Sequence, residues 1–242
     1  MPTVISQPVV WTRKRTDDYF FAGMSLLILT AVFLGFARSY YLAGTVHAHL
    51  PSAIIHVHAI IFSSWILLLI TQIALVSAGM VGWHKKLGIG GAVLACLMVI
   101  FGTLAAVDSA RRHFVPPGGV NSPTIFAIQM TELSVFAFLV TWGIRVCRDG
   151  AAHKRLLIIA TILLLGPAVS RWPFAFILQF PPSTGLVMDA FLLAVITYDL
   201  VTLRKVHRAT VWASLTVFLM IPGMFALGGT AFWRHFTECV QH

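Results

Sequence analysis

Long apolar stretches recur along this chain, separated by short polar turns, and they constrain the fold more than any motif does. A helix that crosses a bilayer needs about 20 largely apolar residues. Residues 19–38, 51–80, 87–107, 124–146, 156–170 (extendable to 180), 185–203 and 211–229 meet or approach that length. Lipid offers backbone groups no hydrogen-bond partner, so each stretch must close its own bonds as a helix. The stretches are also too long and too uniformly apolar for the strands of a membrane barrel. The expectation is an all-α polytopic transmembrane helix bundle of about seven spans, forming one domain over residues 1–242. Composition agrees: 10% of residues are charged, against about 25% in a soluble domain, too few to cover a water-soluble globule.

A net charge of +9 would point to nucleic acid in a soluble protein. Here the basic residues fall between apolar stretches, so topology accounts for them and no nucleic-acid partner is expected. With alternating spans, 12 Lys and Arg fall on one side and 5 on the other. The positive-inside rule makes the richer side cytoplasmic. The N-terminus is then inside, with residues 1–18 a cytoplasmic segment, and the C-terminus is outside. The polar stretch before the first apolar run, and the length of that run, predict a retained helix rather than a cleaved signal. Cys96, Cys147 and Cys239 are scattered and form neither a disulfide framework nor a zinc motif.

The fifth stretch is the irregular one. Gly166-Pro167, then Arg171 and Pro173, interrupt it, and proline removes a backbone donor and bends a helix. The spacing predicts a kinked helix leading into an interfacial segment over 172–180. A short repeat surrounds it: His84-Lys85-Lys86-Leu87 opens the third span and His153-Lys154-Arg155-Leu156 the fifth. Each follows a helix by a short turn, as related hairpins do in duplicated membrane folds. The repeat sets His84 and His153 at one depth on one side.

Ionisable groups inside a span are costly and turn toward a bundle interior or a wet cavity. His58, Glu132 and Asp189 fall in the outer half of their spans, and Asp108 and Arg171 at outer ends. The inner half holds Thr71, Gln72 and, close to its exit, Asp199. This asymmetry predicts an outward-facing polar cavity. His56 and His58 stand about 200° apart on a helix, so they cannot share one metal from it. His58, Trp65 and Gln72 form one stripe at seven-residue steps, and His56 aligns with Ser63. His47 and His49 precede Pro51 in a loop. The plain alternative is that each histidine is interfacial or bonded to backbone, and that Glu132 is met by Arg171 or His58 in simple packing. No H-E-x-x-H, G-x-S-x-G or phosphate-binding glycine loop occurs, and no lysine within a span could carry retinal.

The run His56-Val57-His58-Ala59, Trp65, Gln72, His84-Lys85-Lys86-Leu87-Gly88, then His153-Lys154-Arg155-Leu156 and Arg171, resembles an uncharacterised family of bacterial multi-spanning membrane proteins, a domain of unknown function. Gly35-Phe36 and Tyr40-Tyr41 fit the same pattern. The resemblance covers roughly residues 19–171 and implies a bacterial inner-membrane address. Histidines at helix ends in paired hairpins are more distantly similar to cytochrome b561-type transmembrane haem proteins. That similarity implies haem b with His84, His153 and His58 as possible ligands, and a quinone or another membrane redox partner. Two other classes stay open. One is a metal-dependent membrane enzyme using a transition metal on His58, Glu132 and Asp189 or Asp108. The other is a transporter or accessory subunit using the outer cavity, with His56, Asp108, Arg171 and Gln72 as further polar groups.

Overall fold

The computed structural model describes residues 9–46, 52–114, 120–180 and 182–242, with side chains from residue 15. His47, His49 and Pro51 lie outside the described residues. Among the described residues all regular structure is helical. α1 is Val9–Phe36 and runs on as a π-helical turn, Ala37–Tyr41; α2 is Ala43–Val46. α3 (Ala53–Ser77) and α4 (Val81–Arg111) form one hairpin, and α5 (Ser122–Arg145) and α6 (Gly150–Leu163) a second. α7 (Gly166–Val169) and α8 (Ala175–Gln179) are short, α9 is Ser183–Leu203, α10 is Arg208–Gly229 and α11 is Ala231–Gln241.

Among the described residues six helices are long and apolar enough to cross a membrane: Arg15–Tyr41, Ala53–Ser77, Val81–Arg111, Ser122–Arg145, Ser183–Leu203 and Arg208–Gly229. They match six of the seven expected stretches. The chain is therefore a multi-pass membrane protein by length and composition of its helices. The fifth stretch departs, as its Gly-Pro predicts. α6 has 14 residues, two residues bridge to α7, and Pro167 sits in the first turn of α7, where its missing donor costs little.

The sequence does not show that this broken element is the centre of the molecule. Leu156, Ile158, Ile159, Ala160, Ile162 and Leu163 are all buried. A helix apolar all round is buried all round, and α6 packs against α1, α5, α9 and α10. Side chains such as Leu67, Ile89, Val93, Leu193 and Phe218 are exposed on the outer helices, the pattern a lipid surface accepts. Past α7, Trp172 donates to the Ala31 carbonyl (3.0 Å). α8 then exposes Phe176 and Leu178 while burying Ile177.

Turns are capped by polar side chains. Asn121 accepts from Thr124 N–H at 3.0 Å to start α5. Asp149 accepts from Ala151 and Ala152 N–H (3.0 and 3.1 Å) to start α6. Each satisfies donors that a helix start leaves open. Gly79, at φ +75°, turns α3 into α4, a backbone state that favours glycine.

Arg155, one of the basic residues that sequence alone assigns to topology, is 2% exposed, and Asp199 is 0% exposed. Arg155 Nε donates to Asp199 Oδ1 at 2.9 Å. Thr210 Oγ1 and the His207 backbone N–H donate to Asp199 Oδ2 at 2.6 and 3.0 Å. Beside this pair, Asp17 accepts from Lys154 and from the Tyr198 hydroxyl. Together these bonds join α1, α6, α9 and α10 at the basic end. α11, which the hydropathy does not mark, docks at the opposite end. Arg111 Nε donates to the Val240 carbonyl (3.1 Å) and Trp233 Nε1 to the Pro123 carbonyl (2.9 Å).

Removing one partner of a buried ion pair leaves the other charge uncompensated. Asp199→Ala is expected to cost about 3–5 kcal/mol, read as denaturant or thermal unfolding in detergent. The double variant Arg155→Met/Asp199→Leu should recover most of that loss.

Candidate functional site

At the end of the bundle opposite the basic turns, α1, α3, α4, α5, α6 and α7 enclose a cavity of about 810 Å³. His58, Glu132 and Arg171 all line it, together with Gln129 and Arg112. The three residues expected to converge on one cavity therefore do so. The simple packing pairs do not form. Arg171 Nη1 donates to the Pro167 carbonyl, and its guanidinium lies 5.1 Å from the Phe36 ring centre. Among the described residues Glu132 has neither a hydrogen bond nor an ion pair, although it is only 8% exposed. His58 Nδ1 and Gln129 Oε1 are buried and also lack hydrogen bonds.

The remaining predicted residues separate. His56 Nδ1 lies 3.1 Å from the Tyr40 hydroxyl, and Ser63 Oγ lies 2.7 Å from the Tyr41 hydroxyl. The His56–Ser63 stripe thus meets the π-helical turn, while Trp65, on the His58 stripe, donates to Thr161 at 3.1 Å in the core. Asp108 stands at the rim and holds Arg112 (2.9 Å) and Ser52 (3.1 Å). Asp189 is exposed on α9 and outside the cavity lining. It follows Met188, whose sulfur faces Gly166, and one residue turns a helix by roughly 100°. The metal set His58, Glu132 and Asp189 is therefore not assembled. Among the described residues no group of three His, Cys, Asp or Glu is arranged to hold a metal ion.

Gly35 and Gly166 permit close approach at the cavity wall. A Cβ on Gly35 would lie 2.1 Å from the Ala168 carbonyl oxygen, so α1 and α7 touch backbone to backbone. Gly166 leaves room for the Glu132 carboxyl, whose Oε1 would sit 3.4 Å from a Cβ there.

At the basic end the repeat's two histidines meet. The rings of His84 and His153 are 6.2 Å apart, centre to centre, with planes at 88°. His153 Nδ1 donates to the Gly143 carbonyl at 2.8 Å, which fixes the tautomer and leaves Nε2 free. His84 Nδ1 is buried without a hydrogen bond, as is Gln72 Oε1. The Gln72 amide stands over Gly88, one turn along α4 from His84, with Nε2 3.6 Å from a Cβ there. An imidazole nitrogen lies about 2.0 Å from a metal it ligates and about 1.1 Å from its ring centre, so two imidazoles trans across one ion stand about 6.2 Å apart. The ring centres of His84 and His153 stand at that separation. His58 is not brought to it: Gln72 is already about 21 Å further along α3.

His207 starts α10 by accepting from the Ala209 N–H at 3.1 Å through Nδ1. Burial, then the nearby Arg155 charge, hold its pKa below the ordinary histidine value. Comparison with protein-family models, curated proteins and solved structures gives no match to this chain.

Two outcomes follow from this geometry. Gly35→Ala should destabilise by about 1–3 kcal/mol through overpacking, while Gly23→Ala, facing open space, should not; thermal unfolding of the two variants compares them. A histidine pKa lowered by folding gives stability that is present above about pH 6.5 and lost as pH falls through the folded value. Unfolding midpoints should drop over that acid range, and His207→Asn, which still caps a helix, should flatten the slope.

Proposed function

We propose that this chain is a membrane redox protein that holds one haem b between His84 and His153. The observation that carries the reading is the centre-to-centre spacing of 6.2 Å with perpendicular rings, on two helices that open with the same His-basic-basic-Leu sequence. The Gly143 carbonyl orients His153 in the way outer-shell partners orient metal-bound imidazoles. Lys85 and Lys86 adjoin His84 and suit the propionates that such a group carries. Bound there, haem would supply one-electron transfer, with its potential tuned by the two histidines that would hold it and by burial. The redox partner in this reading is a quinone or another membrane electron carrier.

The same reading sets the topology. α6 and α7 together span 150–169, about 30 Å of helix and enough to cross the hydrocarbon core as a seventh pass. The basic turns face the cytoplasm of a bacterial inner membrane, so the haem lies near the inner surface and the cavity opens outward. The resemblance to bacterial multi-spanning membrane proteins and, more distantly, to cytochrome b561-type proteins supports the same assignment.

Protein expressed with haem supplied and then purified should show a Soret band and about one haem per chain by pyridine haemochrome assay. His84→Ala and His153→Ala should each abolish it, and His58→Ala should not. Perpendicular imidazole planes predict a highly anisotropic low-spin ferric EPR signal. Absence of a Soret band, or its survival in both variants, overturns the reading.

A further inference from the structure

The outward cavity leaves three polar groups unmet in one place. His58 on α3 and Gln129 on α5 each bury an atom without a hydrogen bond. Glu132, three residues after Gln129 and so on the same face of α5, has no partner among the described residues. Folded proteins satisfy the great majority of buried polar atoms, so such a cluster calls for an occupant. The volume of about 810 Å³ lies within the range of small-molecule sites, about 300–1,000 Å³. Most of the wall is apolar, with Val32, Phe62, Ile66 and Met98 among its surfaces.

Charge narrows the ligand. A carboxylate or phosphate group on the cavity floor would stand beside the Glu132 carboxyl. A cation would share the cavity with Arg171, which lines it and has no carboxylate partner among the described residues. A neutral group that both donates and accepts hydrogen bonds meets neither objection. Gln129 Oε1 requires a donor, which a hydroxyl provides, while His58 and Glu132 can donate or accept.

We propose that this cavity binds a neutral, lipid-borne molecule with a hydroxylated ring head, the head lying against Gln129, Glu132 and His58 and the apolar part along the α1 and α3 walls. Hydroquinones and polycyclic alcohols share this chemistry. The site stands beside the haem reading and does not depend on it, because the two lie at opposite ends of the bundle.

The test is equilibrium binding of radiolabelled probes to the purified full chain in nanodiscs. The probes are a decyl-substituted hydroquinone, a sterol, a fatty acid and an alkylamine of matching chain length. Saturable binding of one neutral probe, and of neither charged probe, is expected, and the neutral probe that binds identifies the source. Gln129→Leu and Glu132→Gln should each weaken binding about tenfold. Replacing an unsatisfied buried polar group by an apolar one of similar shape is neutral or stabilising. Gln129→Leu should therefore keep or raise the unfolding midpoint, which a purely structural role for Gln129 would lower. The proposal is overturned if no neutral probe saturates, if a charged probe binds more tightly, or if both variants retain full affinity. The Soret band of the same samples reports the haem reading separately.

Discussion

The bundle depends on a charge pair held inside it. Arg155 and Asp199 are enclosed between α6, α9 and α10, and Thr210 and the His207 backbone complete the carboxylate's hydrogen bonds. A buried pair of this kind is stable only when its remaining donors and acceptors are met, because desolvation opposes it. Meeting them requires that α6, α9 and the start of α10 stand in one register. Asp17 extends the same demand to α1 through Lys154 and Tyr198. The basic end is therefore fixed by polar geometry.

From that anchored end, the central helix runs toward the other side and breaks. The break at residues 164–165 and the close seating of Gly35 on Ala168 set α7 against α1. That seating brings Pro167, Ala168 and Arg171 to the cavity wall beside Glu132. A straight, uninterrupted sixth helix would leave less reason for space there. The broken stretch thus contributes Leu164, Leu165, Pro167, Ala168 and Arg171 to the cavity lining. The π-helical turn after α1 adds the tyrosines that meet His56 and Ser63; such turns occur often at functional sites.

The two polar centres differ in how their atoms are satisfied. At the basic end, His153 is oriented by a backbone carbonyl, and its ring centre stands 6.2 Å from that of His84. At the cavity, the polar atoms face a space far larger than one ion, and among the described residues they converge on no metal geometry. The proposed haem site rests on the first arrangement, and the proposed ligand site on the second.

Apolar length was enough to determine six membrane-capable helices among the described residues and their approximate ends, and depth along them grouped His58, Glu132 and Arg171. The repeat in sequence also set His84 and His153 at one depth. These features are legible because helical rise converts residue number directly into depth. Rotation about each helix axis is not encoded in that way. Asp189 read as a cavity residue by depth, but its direction on α9 takes it outside the lining. Arg155 read as a topology signal, yet it points inward to a carboxylate 44 positions later in the chain. α11 carried no long apolar run and escaped notice. Which face of a helix meets which neighbour is decided by packing among all of them, so only the tertiary structure could separate the residues that converge from those that merely share a depth.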